Sequence, residues 1–305
     1  ACGGNYLALE NGKPTGFNPF QCERSEANLQ FLAELVKVLA GKRVYSTREE
    51  EDIFRAVENL LDTPLHQRTT TIFQTTLPNR GDDGLFSRMR KWTAGNALGW
   101  VFDNPKDQVD LGRASIIGFD YTEIIDNPEV RVPVINYLLH RLEELIDGRP
   151  LIYVMDEFWK ILDGEGGLKE FAKNKQKTIR KQNGLGIFAT QSPEDALQSS
   201  IAASLIEQTA TLVLLPNPNA NRDDYVDGLK LTEAEYQVVK ALDERSRCFL
   251  VKQGHFSSVC QLNLRGLDDH LAVISASTDN INILHTLLDE RASELGLRVD
   301  QLRPE

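Results

Sequence analysis

One short run constrains this chain more than anything else in it. Leu151-Ile152-Tyr153-Val154-Met155 leaves the turn Gly148-Arg149-Pro150 and stops on Asp156-Glu157. Five consecutive apolar residues between a turn and a polar stop predict a strand buried on both faces, as in the middle of a parallel sheet. Open α/β sheets collect their ligand sites at the carboxyl ends of such strands, which is where the two acids fall. The pair can divide one task. Asp156 can hold a magnesium ion, directly or through water, and Glu157 can orient and polarise an attacking water. A strand end that is merely polar would look the same if it stood alone.

It does not stand alone. An apolar run over Ala114–Phe119 is closed by Asp120, and a helix is predicted from Val130 to Ile146, closed by Asp147-Gly148. Beyond the acidic pair the pattern predicts a helix over Gly167–Gln182, stopped by Asn183-Gly184, and a strand over Leu185–Thr190. Ser192-Pro193-Glu194-Asp195 then opens a helix with an N-cap serine and proline at its first position, and Thr209–Leu215 is a further strand. Strands alternating with helices predict an α/β fold with a parallel sheet covered on both faces. Phe249–Lys252 and Ser257–Asn263, joined across Gln253-Gly254-His255, read as an added antiparallel hairpin.

Residues 23–96 read differently, as an all-helical insertion. Ala27–Leu39 carries apolar residues at three- and four-residue spacing and ends at Gly41. Thr47 and Glu50 form a predicted capping box ahead of an apolar stripe of Ile53, Ala56, Val57 and Leu60. Gly3–Leu9 reads as a short strand and Gly12–Phe20 as a turn-rich loop, with no cap, linker or starting methionine before them. The chain is therefore expected to begin inside a domain. The resulting division is 1–22 and 97–277 for one α/β domain, 23–96 for the insertion, and 278–305 for a terminal helix and tail.

Two further features bear on chemistry. Gly186–Thr190 ends in Gln191, whose amide can donate to a terminal phosphate oxygen and accept from the attacking water, although a glutamine that merely caps a helix would occupy the same place. Polar tips on two consecutive strand–helix units favour nucleotide hydrolysis. Between them, Lys169–Gln182 holds six cations, including Arg180 and Lys181, against the single acid Glu170. Such a face can be simply solvated, can follow a DNA backbone, or can send Arg180, with Lys181, to a neighbouring subunit's nucleotide as an arginine finger. The phosphate-cradling loop GxxxxGK[ST] is absent from the 305 residues, and neither Gly12-Lys13-Pro14-Thr15 nor Gly41-Lys42-Arg43 satisfies it. The loop is expected upstream, and the chain by itself is expected to bind ATP poorly. A net charge of −11 argues against a broad nucleic-acid-coating surface while leaving room for a local basic path. Four cysteines without CxxC spacing argue against a zinc site or disulfide framework and for a reducing, cytosolic compartment.

The segments MDEFWKIL, TIRKQNG, FATQSPEDAL, IEQTAT and LPNPNA, in this order and spacing, resemble the large ATPase of type IV secretion and conjugation machines of the CagE/TrbE/TraC type. The opening GGNYLALENGKPTGFNPF resembles the stretch just after that family's Walker A helix. The resemblance implies a RecA-like P-loop NTPase, a three-layer sandwich with a mainly parallel sheet and an all-helical insertion. It implies ATP and Mg2+ as ligands, a further N-terminal domain, and a hexameric motor on the cytoplasmic face of the bacterial inner membrane among other secretion subunits and ATPases. It assigns Asp156 and Glu157 to Walker B, Gln191 to the third motif and Arg180 or Lys181 to the finger. The expected work is pilus assembly and substrate transfer. The rival readings are a DNA-pumping translocase of the FtsK/HerA or coupling-protein kind, and a non-catalytic structural subunit.

Overall fold

The computed structural model describes residues 4–41, 44–109, 111, 116–157, 159–160, 182–191, 193–198, 205–274 and 278–297. It forms two compact units, one of residues 6–113 with 119–208, the other of residues 1–5, 114–118 and 209–305.

The first unit begins its helical part at Ser25, whose hydroxyl accepts the Asn28 N–H and starts α1 (Glu26–Ala40). Gly41, at φ 67°, closes it by donating to the Lys37 and Val38 carbonyls. Helix α2 (Thr47–Leu61) starts at the residue expected to cap it. Ser46, not Thr47, is the N-cap, and Glu49, not Glu50, returns to its backbone N–H at 2.9 Å. Two hydroxyl residues followed by three acids offer the box in two registers. In the register adopted, Glu49 also pairs with Arg88 at 3.0 Å while Glu50 is free to reach Lys37 at 2.9 Å. The stripe of Ile53, Ala56, Val57 and Leu60 is buried. Short helices α3 (Thr70–Thr76), α4 (Leu85–Met89) and α5 (Gly99–Phe102) complete this layer. Its core holds Phe20, Leu32, Phe73, Trp92 and Phe102.

Helix α6 (Pro128–Glu143) starts on an Asn127 cap with proline at its first position. It is apolar on two sides. Val130, Val134 and Tyr137 enter the helical core, whereas Ile135 and Leu139 enter a second cluster with Tyr153, Met155, Ala196 and Leu205. Each large side chain so buried contributes about 1.5–3 kcal/mol, so the helix is fastened to both.

Strand β1 (Asn5–Ala8) pairs with β2 (Ile117–Asp120), and β3 (Leu151–Met155) pairs in parallel with β4 (Gly184–Phe188). The full burial expected of β3 is not what the structure shows. Tyr153 and Met155 are buried, but Ile152 and Val154 are 67% and 64% exposed. Alternate side chains leave opposite faces of a strand, and among the described residues only one face of this pair is packed. An apolar run cannot by itself distinguish one covered face from two. Tyr153 lies opposite Gly186, and a Cβ on Gly186 would come within 2.3 Å of the tyrosine hydroxyl. Gly186→Ala must displace a buried ring and is expected to destabilise the protein by about 1–3 kcal/mol, read as a lower unfolding midpoint in urea.

In the second unit, β5 (Thr211–Leu214), β6 (Cys248–Gln253) and β7 (Phe256–Gln261) form an antiparallel sheet in that order. The hairpin is as expected, but the pairing that β5 makes among the described residues is antiparallel, Leu214 with Leu250. Apolar alternation has the same period in both kinds of pairing, and nothing local marks the difference. The remaining α-helices described are α7 (Pro193–Gln198) in the first unit and α8 (Glu233–Ala241), α9 (Asp268–Ile274) and α10 (Thr278–Leu295) in the second.

Glu235 on α8 is buried and meets Lys252 on β6 at 2.7 Å. Burial alone would raise its pKa, but the Lys252 ammonium and the Thr232 N–H outweigh it and hold it at about 2. A carboxyl depressed from 4.5 stabilises fully above that pH and loses its contribution as pH falls towards about 2. That contribution is at most roughly 3 kcal/mol. Lys252→Met is expected to flatten this acid limb in pH-dependent thermal unfolding.

Candidate functional site

Asp156 and Glu157 follow directly on β3, and the chain turns sharply there. Glu157 has φ 47°, left-handed backbone that a residue with a Cβ seldom adopts. The turn brings its carboxylate to the tip of β4. Oε1 accepts the Gln191 backbone N–H at 3.2 Å, and Oε2 accepts the Trp159 indole N–H at 2.7 Å. The Thr190 hydroxyl lies 3.5 Å from Oε2, at the limit of a hydrogen bond. Asp156 is exposed; its Oδ1 accepts the Glu157 N–H at 3.0 Å, and its Oδ2 has no partner among the described residues.

A third strand tip reaches the same place. Tyr121, just past β2, donates its hydroxyl to the Asp156 carbonyl oxygen at 2.7 Å. Burial, then the charges of Asp156, Glu157 and Asp120, push the Tyr121 hydroxyl up to about 12, so it remains a donor at neutral pH. Asp120 beside it accepts the Thr122 hydroxyl at 2.6 Å and the Tyr6 hydroxyl at 2.7 Å. Those donors, with the Thr122 N–H, hold its carboxyl down at about 2. The ends of β2, β3 and β4 thus converge on a cluster of carboxylates gripped by neutral donors.

Of the expected site residues, the structure brings Asp156, Glu157 and Gln191 together, with the Gln191 side chain exposed and its backbone N–H making the contact. Arg180 and Lys181, the helix that should carry them and the Ser192 cap lie outside the described residues. Tyr121, Trp159 and Thr190 were not singled out from sequence. Asp120 closed a predicted strand, and the reasoning that selected Asp156 would have reached its neighbour Tyr121 as well.

Residues 81–262, more than half of the chain, match the TraG P-loop domain family. The chain belongs to this family. It is 46% identical over 309 residues to the type IV secretion system protein virB4 of Brucella abortus biovar 1 (strain 9-941), covering 97% of this chain and 37% of that protein. To virB4 of Bartonella henselae it is 44% identical over 298 residues, covering 96% and 38%. To the type IV secretion system protein PtlC of Bordetella pertussis it is 41% identical over 298 residues, covering 94% and 36%. The chain thus spans somewhat more than a third of the length of these relatives. The structure of VirB4 of Thermoanaerobacter pseudethanolicus superposes with a TM-score of 0.68 at 17% identity, over 88% of this chain and 78% of that one. The family and this shared architecture establish a RecA-like P-loop NTPase fold, with β3 and β4 in its parallel sheet and a mainly helical layer beside them.

Proposed function

We propose that this chain carries the acidic part of an ATP-hydrolysing centre in the motor subunit of a type IV secretion or conjugation machine. The observation that carries the reading is the Glu157 carboxylate, held where the tips of β3 and β4 meet, with Asp156 exposed next to it. The donor chemistry at Asp156 suits Mg2+, which takes one or two carboxylates and completes its shell with water and phosphate. No group of three potential ligands occurs among the described residues, and a site of this kind does not require one. Bound there, the ion would neutralise phosphate charge.

Glu157 takes a proton from the water that attacks the γ-phosphorus. The new P–O bond replaces the bond to the bridging oxygen, and ADP leaves with that electron pair. The Gln191 amide would hydrogen-bond the water or a phosphate oxygen. Arg180 or Lys181 of an adjacent subunit would meet the charge that develops, which calls for a ring, in keeping with a hexamer. The ring would work on the cytoplasmic face of the inner membrane with other secretion subunits; no helix among the described residues is long and apolar enough to cross a membrane. Because the 305 residues contain no GxxxxGK[ST], this chain on its own should bind ATP more weakly than the full-length protein.

The test is phosphate release by the full-length protein as Mg2+ is varied. Asp156→Asn should lower hydrolysis and raise the Mg2+ concentration needed for half-maximal rate. Hydrolysis with an unaltered Mg2+ dependence would remove the proposed role of Asp156.

A further inference from the structure

Glu157 has two carboxylate oxygens and they are not held alike. Oε2 receives the Trp159 indole N–H at 2.7 Å, short for an N–H···O bond and typical of a charged acceptor, whereas Oε1, among the described residues, receives a backbone N–H at 3.2 Å. We propose that Trp159 is the positioning residue for Glu157: its indole N–H fixes one carboxylate oxygen and leaves the other to the attacking water. The inference rests on the hydrolytic reading of Glu157 given above.

The arrangement around the indole favours this role over simple packing. The ring is half-buried against the cluster of Tyr153, Met155 and Leu205, so its direction is set by the core that holds β3. The Lys160 ammonium stands 5.6 Å from the ring centroid and adds a cation–π contact. Lys160 N–H closes the turn on the Glu157 carbonyl at 3.0 Å, tying Trp159 into the same strained turn as the residue it grips. An indole N–H only donates and does not titrate, so it neither competes for the water's proton nor releases the carboxylate as pH changes. A glutamate beyond the end of a strand has three side-chain torsions to settle, and a misplacement of about 1 Å costs up to about 100-fold in rate. The N–H removes that freedom before the water arrives.

Trp159→Phe in the full-length protein keeps a ring in the cluster and deletes the donor. The expected result is a fall in kcat for ATP hydrolysis of about 10- to 100-fold, with KM and the affinity for a fluorescent ATP analogue within about twofold. On a Glu157→Gln background the same substitution should cost nothing more, because the two groups act as one unit. A second readout needs no turnover. Trp159 emission, isolated as the difference between the protein and its Trp159→Phe variant, should shift in Glu157→Ala protein without nucleotide. An unchanged kcat in Trp159→Phe, or an emission indifferent to Glu157, overturns the proposal when Glu157→Gln is itself inactive. Normal hydrolysis by Glu157→Gln instead removes the hydrolytic reading, and this inference falls with it.

Discussion

Glu157→Gln is expected to lower kcat for ATP hydrolysis in the full-length protein by about 10²–10⁴-fold, the usual contribution of a positioned general base, while nucleotide still binds. Glutamine has nearly the same shape and leaves the turn at φ 47° occupied by a similar side chain. The local cost is in the donors. Two N–H groups, from Trp159 and Gln191, point at two carboxylate oxygens, and an amide offers one oxygen and one NH2. One of the two donors must then face another donor, so the side chain loses its fixed direction as well as its basicity. Phosphate release gives the rate and a fluorescent ATP analogue gives binding. A variant that hydrolyses ATP at the parental rate would end the reading of Glu157 as the residue that activates water.

Arg180→Ala is expected to have the largest effect of all, a loss of about 10³–10⁵-fold in hydrolysis with nucleotide binding retained, as for an arginine that meets transition-state charge. Arg180 lies outside the described residues; its place in the basic segment 169–181, guanidinium chemistry and the finger role implied by the family resemblance support this outcome. Mixing makes the test specific. On the proposed reading, neither Arg180→Ala nor Glu157→Gln would build a complete site from copies of itself. In mixed oligomers, an interface pairing the intact Glu157 of one subunit with the intact Arg180 of the next would be whole. Hydrolysis that reappears on mixing supports a site shared between subunits. Its absence from oligomers shown to be mixed would place Arg180 elsewhere.

What could be read from sequence follows from which forces are local. The run 151–155 and its acidic stop were legible because strand length, turn and polar end are all encoded within ten residues. Helix α1 was legible for the same reason, since Gly41 at φ 67° is a local stop. The cap of α2 slipped by one residue because Ser46-Thr47 and Glu49-Glu50-Glu51 fit two equivalent registers, and the choice depends on Arg88, thirty-nine residues from Glu49. The pairing of β5 depends on a hairpin beginning at Cys248, and its own residues carry no sign of direction. At the site, the acids declared themselves by position, but Tyr121 and Trp159 are apolar-looking residues: the Tyr121 hydroxyl reaches Asp156 only across 35 residues of chain, and the Trp159 indole meets Glu157 through the sharp turn at φ 47°.

Helix α6 has a consequence of its own. With Val134 and Tyr137 seated in one core and Ile135 and Leu139 in the other, its position enters the energy balance of the helical layer and of β3 together. Dense packing allows such an element a few discrete seats and no gradual drift. A body that binds one seat of α6 better than another would shift the balance between them, and on the proposed reading of the strand tips the seat chosen would set how tightly nucleotide is held there. Reciprocity requires that whatever fills the strand tips push back on that body by the same factor.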